Sequence, residues 1–453
     1  MATFLTQDET EAIRRHIDDH RHPGTYEPGK WSVGHNNRRP EVLGLQLPDH
    51  YPERVRLRDI VLRTIEQTPG VAITGPERKR LARALVEAGV PSLQLSFGSY
   101  RTPIERLRGE VEAIRELDPT VEITTDGAAV EEDVDRAADA GFDVVQFLSP
   151  SMPGISPIYL HEAHFLAWEG KEWRGVRFPR TLEEQIERGK RLVARAKERE
   201  IKISASINML AYAHDDYIDG FCSAMAAEGA DQICLYDGSS GLGHEAWAWV
   251  ITRAKAAAPA CEIGAHTHNM FGLATASALT AAHAGADVLE VSTNGYCAAS
   301  GQADLAEVAS ALTMLYGVET GIDLAQMTSL RRLGEDITRV YVARNKPITG
   351  DEVFNWGGME IIVHELEVDP LLHWCIEPAV VGNEKKWIID KTSGPWTMQT
   401  KLDELGIELD RDLVYDLLSA VKEEMDIHKR VLSDDELREL ADRVREGAAL
   451  ATA

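Results

Sequence analysis

The chain has 453 residues, 44% of them hydrophobic and 27% charged, with a formal net charge of −26. That balance excludes a non-specific nucleic-acid binder and argues against docking on an anionic membrane surface, while a local cationic pocket can still hold an anionic substrate. The five cysteines (Cys222, Cys234, Cys261, Cys297 and Cys375) are scattered, with no CxxC spacing, so a reduced, cytoplasmic chain without a disulfide framework is expected.

Residues 1–53 are polar and carry KWSVGHNNRRP, which reads as an N-terminal arm. They show no apolar signal core, and no stretch of the chain reaches the ~20 apolar residues that span a bilayer. From residue 54 to residue 317 the pattern alternates regularly. VRLRDIVL, SLQLS, VEITTDG, DVVQFLSP, IKISASINM, QICLYDG, EIGAHTHN and VLEVSTNG read as strands. Amphipathic segments separate them, from ERKRLARALVEAG through EEDVDRAADAG to LATASALTAAHAG, and ADLAEVASALTMLYG closes the series. Several helices end in Gly directly before a strand, the signature of a left-handed helix end in a tight connection. Eight strand–helix units over this length predict a (β/α)8 TIM barrel of class α/β.

Active sites of such barrels form at the C-terminal strand ends. This singles out Arg63, Asp126, Asn208, Asp237, His266, His268 and the loop after Thr293. In GAHTHN, His266 and His268 alternate along a strand, so both imidazoles share one face, a geometry that chelates a metal. A bonded histidine pair at a strand end is the plainer reading. The long stretch after the fourth strand, SMPGISPIYLHEAHFLAWEGKEWRGVRFP, carries Tyr159, Phe165, Trp168 and Trp173. These read either as a lid over an acyl or aromatic group or as a local cluster. Residues 318–453 form a connector rich in Trp, Gly and Pro, then two or three helices with charged faces, suited to a homodimer contact.

Four stretches carry a resemblance. RDIVLRTIEQTPG (58–70) resembles a first-strand motif D-T-T-L-R-D-G-E-Q-x-P-G, and HTHNMFGLATASALTAAHAGAD (266–287) resembles H-x-H-N-D-x-G-L-A. NGYCAASGQADLAEVASAL has the length of a G-x-G-E-R-x-G-N-A loop, and EPAVVGNEKKWIIDKTSGPWTMQTKLDELGIELD is similar to a post-barrel segment P-E-x-V-G-N … K-x-S-G … L-x-E-L-G-I. These motifs belong to the DRE-TIM metallolyases, which include isopropylmalate, homocitrate and citramalate synthases, hydroxymethylglutaryl-CoA lyase and pyruvate-carboxyltransferase domains. The post-barrel match favours the synthase branch.

The resemblance implies an enzyme of carbon–carbon bond chemistry on an acyl-CoA or 2-oxo acid, acting through an enolate. Arg63 takes the place of the arginine that balances the enolate oxygen, with Glu66 and Gln67 beside it. A fixed cation at a strand's C-terminal end stabilises developing negative charge whatever the family. His266 and His268 take the place of two metal ligands. The third, an aspartate, falls at Thr64, and a neutral hydroxyl is a poor donor to a hard ion. The asparagine that completes the site falls at Gln302. His266, His268, Gln302 and Thr64 are therefore the candidate metal set, for Zn²⁺, Co²⁺, Mn²⁺ or Mg²⁺, with no nucleotide or flavin expected. Asp126 and Asp237 are candidates for the missing charge.

Other departures also fall near the chemistry. Met270 stands for an aspartate, Cys297-Ala298-Ala299 for Gly-Glu-Arg, and Asn208 for a strand-five carboxylate. Asn208, Gln67, Asn269 and Cys297 are candidate substrate-binding residues. Cys297 is either a loop filler or a proton donor of the kind the lyases use. The synthases' general-base histidine falls at Ile362, two residues from His364, the candidate proton carrier. Arg63 has a plainer reading as an ion-pair partner of Glu66. Three functions follow: a retuned condensing enzyme, a retro-aldol lyase, or a catalytically silent barrel kept for binding.

Overall fold

The computed structural model describes residues 47–96, 102–151, 181–358 and 376–452, together with some positions among the first 34. Eight parallel strands close into a barrel: β1 (Arg56–Asp59), β2 (Ser92–Gln94), β3 (Glu122–Thr124), β4 (Val144–Pro150), β5 (Lys202–Asn208), β6 (Gln232–Asp237), β7 (Glu262–Thr267) and β8 (Val288–Val291). β8 pairs with β1 to complete the ring. The helices between them are α1 (Gly75–Glu87), α2 (Ile104–Arg115), α3 (Glu131–Ala140), α4 (Leu182–Glu198), α5 (Asp215–Glu228), α6 (His244–Ala257) and α7 (Ala274–His283), and α8 (Leu305–Tyr316) follows β8. The expected (β/α)8 barrel is the observed fold.

Local signals explain where the helices start and stop. Thr74, Thr181 and Asp304 each accept a hydrogen bond from the backbone N–H three residues on, capping α1, α4 and α8. At Thr74 the cap is reciprocal, because the Glu77 carboxylate accepts from the Thr74 N–H at 2.7 Å. Gly141 and Gly229 end α3 and α5 in the left-handed region at φ 88° and 90°.

The strands alternate apolar and polar residues although both faces are buried. Leu57, Leu93, Ile123, Ile233, Ile263 and Leu289 are buried among their polar neighbours Arg58, Ser92, Gln94, Gln232, His266 and Glu290. The polar set hydrogen-bonds across the barrel, from β1 to β2, β6 and β8. The alternate apolar set therefore faces the helix layer. This barrel is filled by a polar network, not by the branched aliphatic layers such interiors usually hold.

The chain divides into two compact units: Met1–Asp323 with Leu330–Tyr341, and Leu324–Ser329 with Val342–Ala453. In the second, Asn355–Trp356 pairs in parallel with Lys386–Trp387. Three helices, Pro395–Leu405, Arg411–His428 and Asp434–Thr452, bury a core that includes Met398, Leu402, Leu417, Val421 and Ala441. The residues before the barrel include an antiparallel pair, Arg21–Glu27 with Trp31–Gly34.

Candidate active site

Strand register assembles the site. Tyr236 pairs with His266, His266 with Glu290, and Glu290 with Arg58, which puts one inward residue from each of four strands at the same level. Glu290 lies at the centre. Its Oε2 accepts from Tyr236 Oη at 2.7 Å and lies 2.7 Å from His266 Nδ1. Its Oε1 accepts from Arg58 Nη1 at 3.3 Å and from the side-chain amides of Gln94 and Gln146 at 3.5 Å. Burial alone would raise the carboxyl pKa. The His266 hydrogen bond, with the charges of Arg58 and Arg63, holds it well below the usual carboxylate range.

The two histidine rings adjoin this network, tilted 49° to each other with centroids 5.0 Å apart. His266 is 2% exposed, and its Nε2 lies 3.1 Å from His268 Nε2. Gln302 brings its side-chain amide to 2.7 Å from His266 Nε2 and 3.4 Å from His268 Nε2. The other amide atom of Gln302, Oε1, is buried with no hydrogen-bond partner. Burial pushes the His266 pKa down, and burial with the neighbouring His266 and Arg63 pushes His268 down to about 3. Both rings are thus neutral at physiological pH.

Gln302 reaches this position through a tight loop. An antiparallel bridge joins His268 to Gln302. The Gln302 N–H donates to the Gly295 carbonyl at 3.1 Å, and the Asn269 N–H donates to the Gly301 carbonyl at 3.0 Å. Gly301 has φ +82°, and a Cβ there would lie 2.1 Å from the Gly295 oxygen. Asn294 and Ala299 in the same loop, Met209 after β5 and Ser240 after β6 also hold left-handed backbone. Such strain persists where the surrounding contacts over-determine it, commonly at functional loops.

The structure brings Arg63 and Cys297 to the same region. Arg63 pairs with Asp126 at 3.6 Å, and its buried Nε has no partner. Burial opposes its charge, but Asp126, Tyr236, Glu290 and Cys297 outweigh burial and raise its pKa. Cys297 Sγ lies 3.5 Å from Gln67 Oε1, and burial pushes its thiol pKa up against the pull of Arg63. The Arg63–Glu66 ion pair is corrected: Glu66 is held by Arg78 of α1, which also donates to the Leu62 carbonyl. The short helical turn after β1 sends residues 63 and 66 to different neighbours.

The remaining candidates serve the loops. The buried Thr64 hydroxyl bonds the Tyr296 carbonyl at 2.8 Å and the Ile60 carbonyl at 3.1 Å. Asn208 Oδ1 accepts from the Met209 N–H at 2.7 Å, and Asn269 Oδ1 from the Ala274 N–H at 3.1 Å. Asp237 accepts from Ser239 Oγ and the Leu242 N–H, both at 2.7 Å, so its carboxylate closes its own turn. Met270 is 56% exposed. His364, Tyr159, Phe165, Trp168 and Trp173 lie outside the described residues. Glu290, Tyr236, Arg58, Gln94 and Gln146 are the site residues that strand-end reasoning misses. Their signal is the run of polar residues at alternate positions of strands buried on both faces.

Residues 54–333 match the family model described as HMGL-like. The chain belongs to the HMGL-like family. It is 30% identical to a 2-isopropylmalate synthase from Methanocaldococcus jannaschii, over 85% of this chain and 70% of that one. It is also 30% identical to a 2-phosphonomethylmalate synthase from Streptomyces rubellomurinus, over 81% and 92%. A homocitrate synthase from Methanothermobacter thermautotrophicus is 26% identical over 85% and 93%. Among solved structures, an HMG-CoA lyase from Brucella melitensis superposes with a TM-score of 0.54 at 18% identity, over 64% of this chain and 100% of that one, a likeness of fold. An enzyme is what this HMGL-like chain is, and its named relatives are synthases.

Members that hold a divalent ion need donors placed to do so. Among the described residues no group of three His, Cys, Asp or Glu is so placed. Two imidazole nitrogens at 3.1 Å nonetheless face the side-chain nitrogen of Gln302, and turning that amide over would present its orphaned oxygen to them, making a nitrogen–nitrogen–oxygen set. If both Nε2 atoms carry lone pairs, their approach is repulsive without a cation between them. Those donors suit a borderline ion such as Zn²⁺ or Co²⁺ better than Mg²⁺.

Proposed function

We propose that this chain catalyses carbon–carbon bond formation between an acyl thioester and a 2-oxo acid through an enolate. The observation that carries the reading is the pair of neutral imidazoles beside Gln302, in the field of a half-buried Arg63 whose buried Nε–H is unpartnered. Its relatives at 30% identity bear synthase names, which supports the condensing direction.

His266, His268 and Gln302 would hold a divalent ion, which supplies Lewis-acid polarisation of a carbonyl. Thr64 takes the place of the family's aspartate ligand but supplies no charge. Arg63 balances the enolate oxygen. Gln67 orients the Cys297 thiol, and Asn208 and Asn269 offer side-chain NH₂ groups at the rim, since their amide oxygens are already bonded. Glu66 serves through Arg78, steadying the turn that carries Arg63. The proton-moving step falls to His364, supported by the sequence resemblance alone.

A second reading is retro-aldol cleavage. The buried, protonated Cys297 favours it, because a thiol near Arg63 can deliver a proton to an enolate. The test is thiol release from acetyl-CoA with a panel of 2-oxo acids, run with Co²⁺, Zn²⁺ or Mn²⁺. Turnover of at least one pair is expected, falling by about 100-fold or more in Arg63→Ala. Cleavage of 3-hydroxyacyl-CoA without condensation would establish the lyase reading. Absence of both, with no shift in melting temperature on adding either substrate class, would leave a binding barrel.

A further inference from the structure

His266 is held on two sides. Glu290 Oε2 faces its Nδ1 at 2.7 Å, and the Tyr236 ring stacks on the imidazole with centroids 3.9 Å apart and planes 24° from parallel. Tyr236 also bonds Glu290 Oε2 at 2.7 Å, and its hydroxyl lies 2.8 Å from Gln146 Oε1. Glu290 is 1% exposed and, among the described residues, is ringed by donors: Arg58, Gln94, Gln146, Tyr236, His266 and the Cys234 thiol. A carboxylate so surrounded is ionised and only accepts hydrogen bonds. The proton between Glu290 and His266 must then sit on Nδ1, which leaves Nε2 with its lone pair toward His268 and Gln302.

We infer that Glu290 and Tyr236 are positioning residues that fix His266 as its Nδ1–H tautomer and hold its ring plane. Glu290 chooses the tautomer, because no other group bonded to the ring is restricted to accepting. Gln302 does not choose, since its amide presents a donor or an acceptor by turning over. Tyr236 fixes the ring plane by stacking and holds the carboxylate oxygen in line. An Nε2 lone pair is what a metal ion or an incoming proton requires, and carboxylates that orient ligand histidines act this way. The inference rests on the proposed function for what Nε2 does. The tautomer itself belongs to the metal-free chain.

The experiment uses the full-length, metal-free chain with ¹⁵N-labelled histidine. Long-range proton–nitrogen correlations read the tautomer of each ring, and His266 is assigned by its loss in His266→Asn. The Nδ1–H form is expected for wild type. Co²⁺ titration followed by visible absorption then compares variants. Glu290→Gln should weaken Co²⁺ binding by about 10–100-fold, with partial recovery in Glu290→Asp. Tyr236→Phe, which keeps the stacked ring, should lose about threefold. An Nε2–H ring at His266 in wild type overturns the inference, as does a folded Glu290→Gln that binds Co²⁺ as tightly as wild type. Should Glu290→Gln not fold, the wild-type tautomer decides alone. Should wild type bind no Co²⁺, the metal role in the proposed function fails, while the tautomer still judges the clamp.

Discussion

Thr64 shows how much one side chain alters this site. Its hydroxyl is buried and bonded to two backbone carbonyls, with Ser292 Oγ at 3.4 Å. Thr64→Asp would place a carboxylate against those oxygens, and we expect it to cost about 1–3 kcal/mol in metal-free protein. If the new carboxylate reaches the histidine pair, Mn²⁺ should raise the melting temperature of the variant more than that of wild type. A variant whose melting temperature ignores Mn²⁺ would show that residue 64 is too far from His266 and His268 to share an ion. The substitution of Thr for Asp was legible in the sequence. Its hydrogen bonds to residues 60 and 296 were not, because 296 lies over 230 positions away and meets Thr64 only when β8 closes on β1.

At the scale of elements, the loop from β8 to α8 decides whether Gln302 stands by the histidines. Gly301 allows its left-handed turn and the close pass of the Gly295 carbonyl. Gly301→Ala should lower stability by about 1–3 kcal/mol, read by urea denaturation, through strain and displaced backbone. Co²⁺ affinity should fall further than the stability loss alone accounts for, since Gln302 moves with the loop. Equal Co²⁺ affinity in the variant would mean that Gln302 contributes no ligand. The eight strands and the helices between them were readable from periodicity and capping signals such as Thr74 with Glu77. The loop's function was not, because short loops carry no period and their shape depends on which strand ends they bridge.

For the whole molecule, the polar barrel interior couples stability to pH. His268 is held down to about 3 in the folded chain by burial, His266 and Arg63, whereas an unfolded histidine titrates near 6.5. The unfolded chain therefore takes up a proton that the folded chain refuses. The stability contributed by neutral His268 is present above about pH 6.5 and is lost as pH falls toward about 3. Asp59, pushed up to about 7 by burial, works in the opposite direction, losing stability as pH rises through about 7. It is common to wild type and His268→Asn, so their difference removes it and leaves His268 with the His266 ring it contacts. Wild type should lose about 1.4 kcal/mol per pH unit relative to His268→Asn as pH falls below about 6.5. Parallel urea-denaturation curves across that range would show instead that His268 is solvated.

The sequence by itself determined the barrel, its strand order and the rim residues Arg63, His266 and His268. These follow from local period, from caps and from motifs within single strand–loop stretches. Only the tertiary structure decided the partners: Asp126 for Arg63, Arg78 for Glu66, and Glu290 with Tyr236 for His266. The physical reason is register. Parallel strands far apart in sequence align residue to residue, and a carboxylate becomes a histidine's partner only once the closed ring puts 236, 266, 290 and 58 at one level.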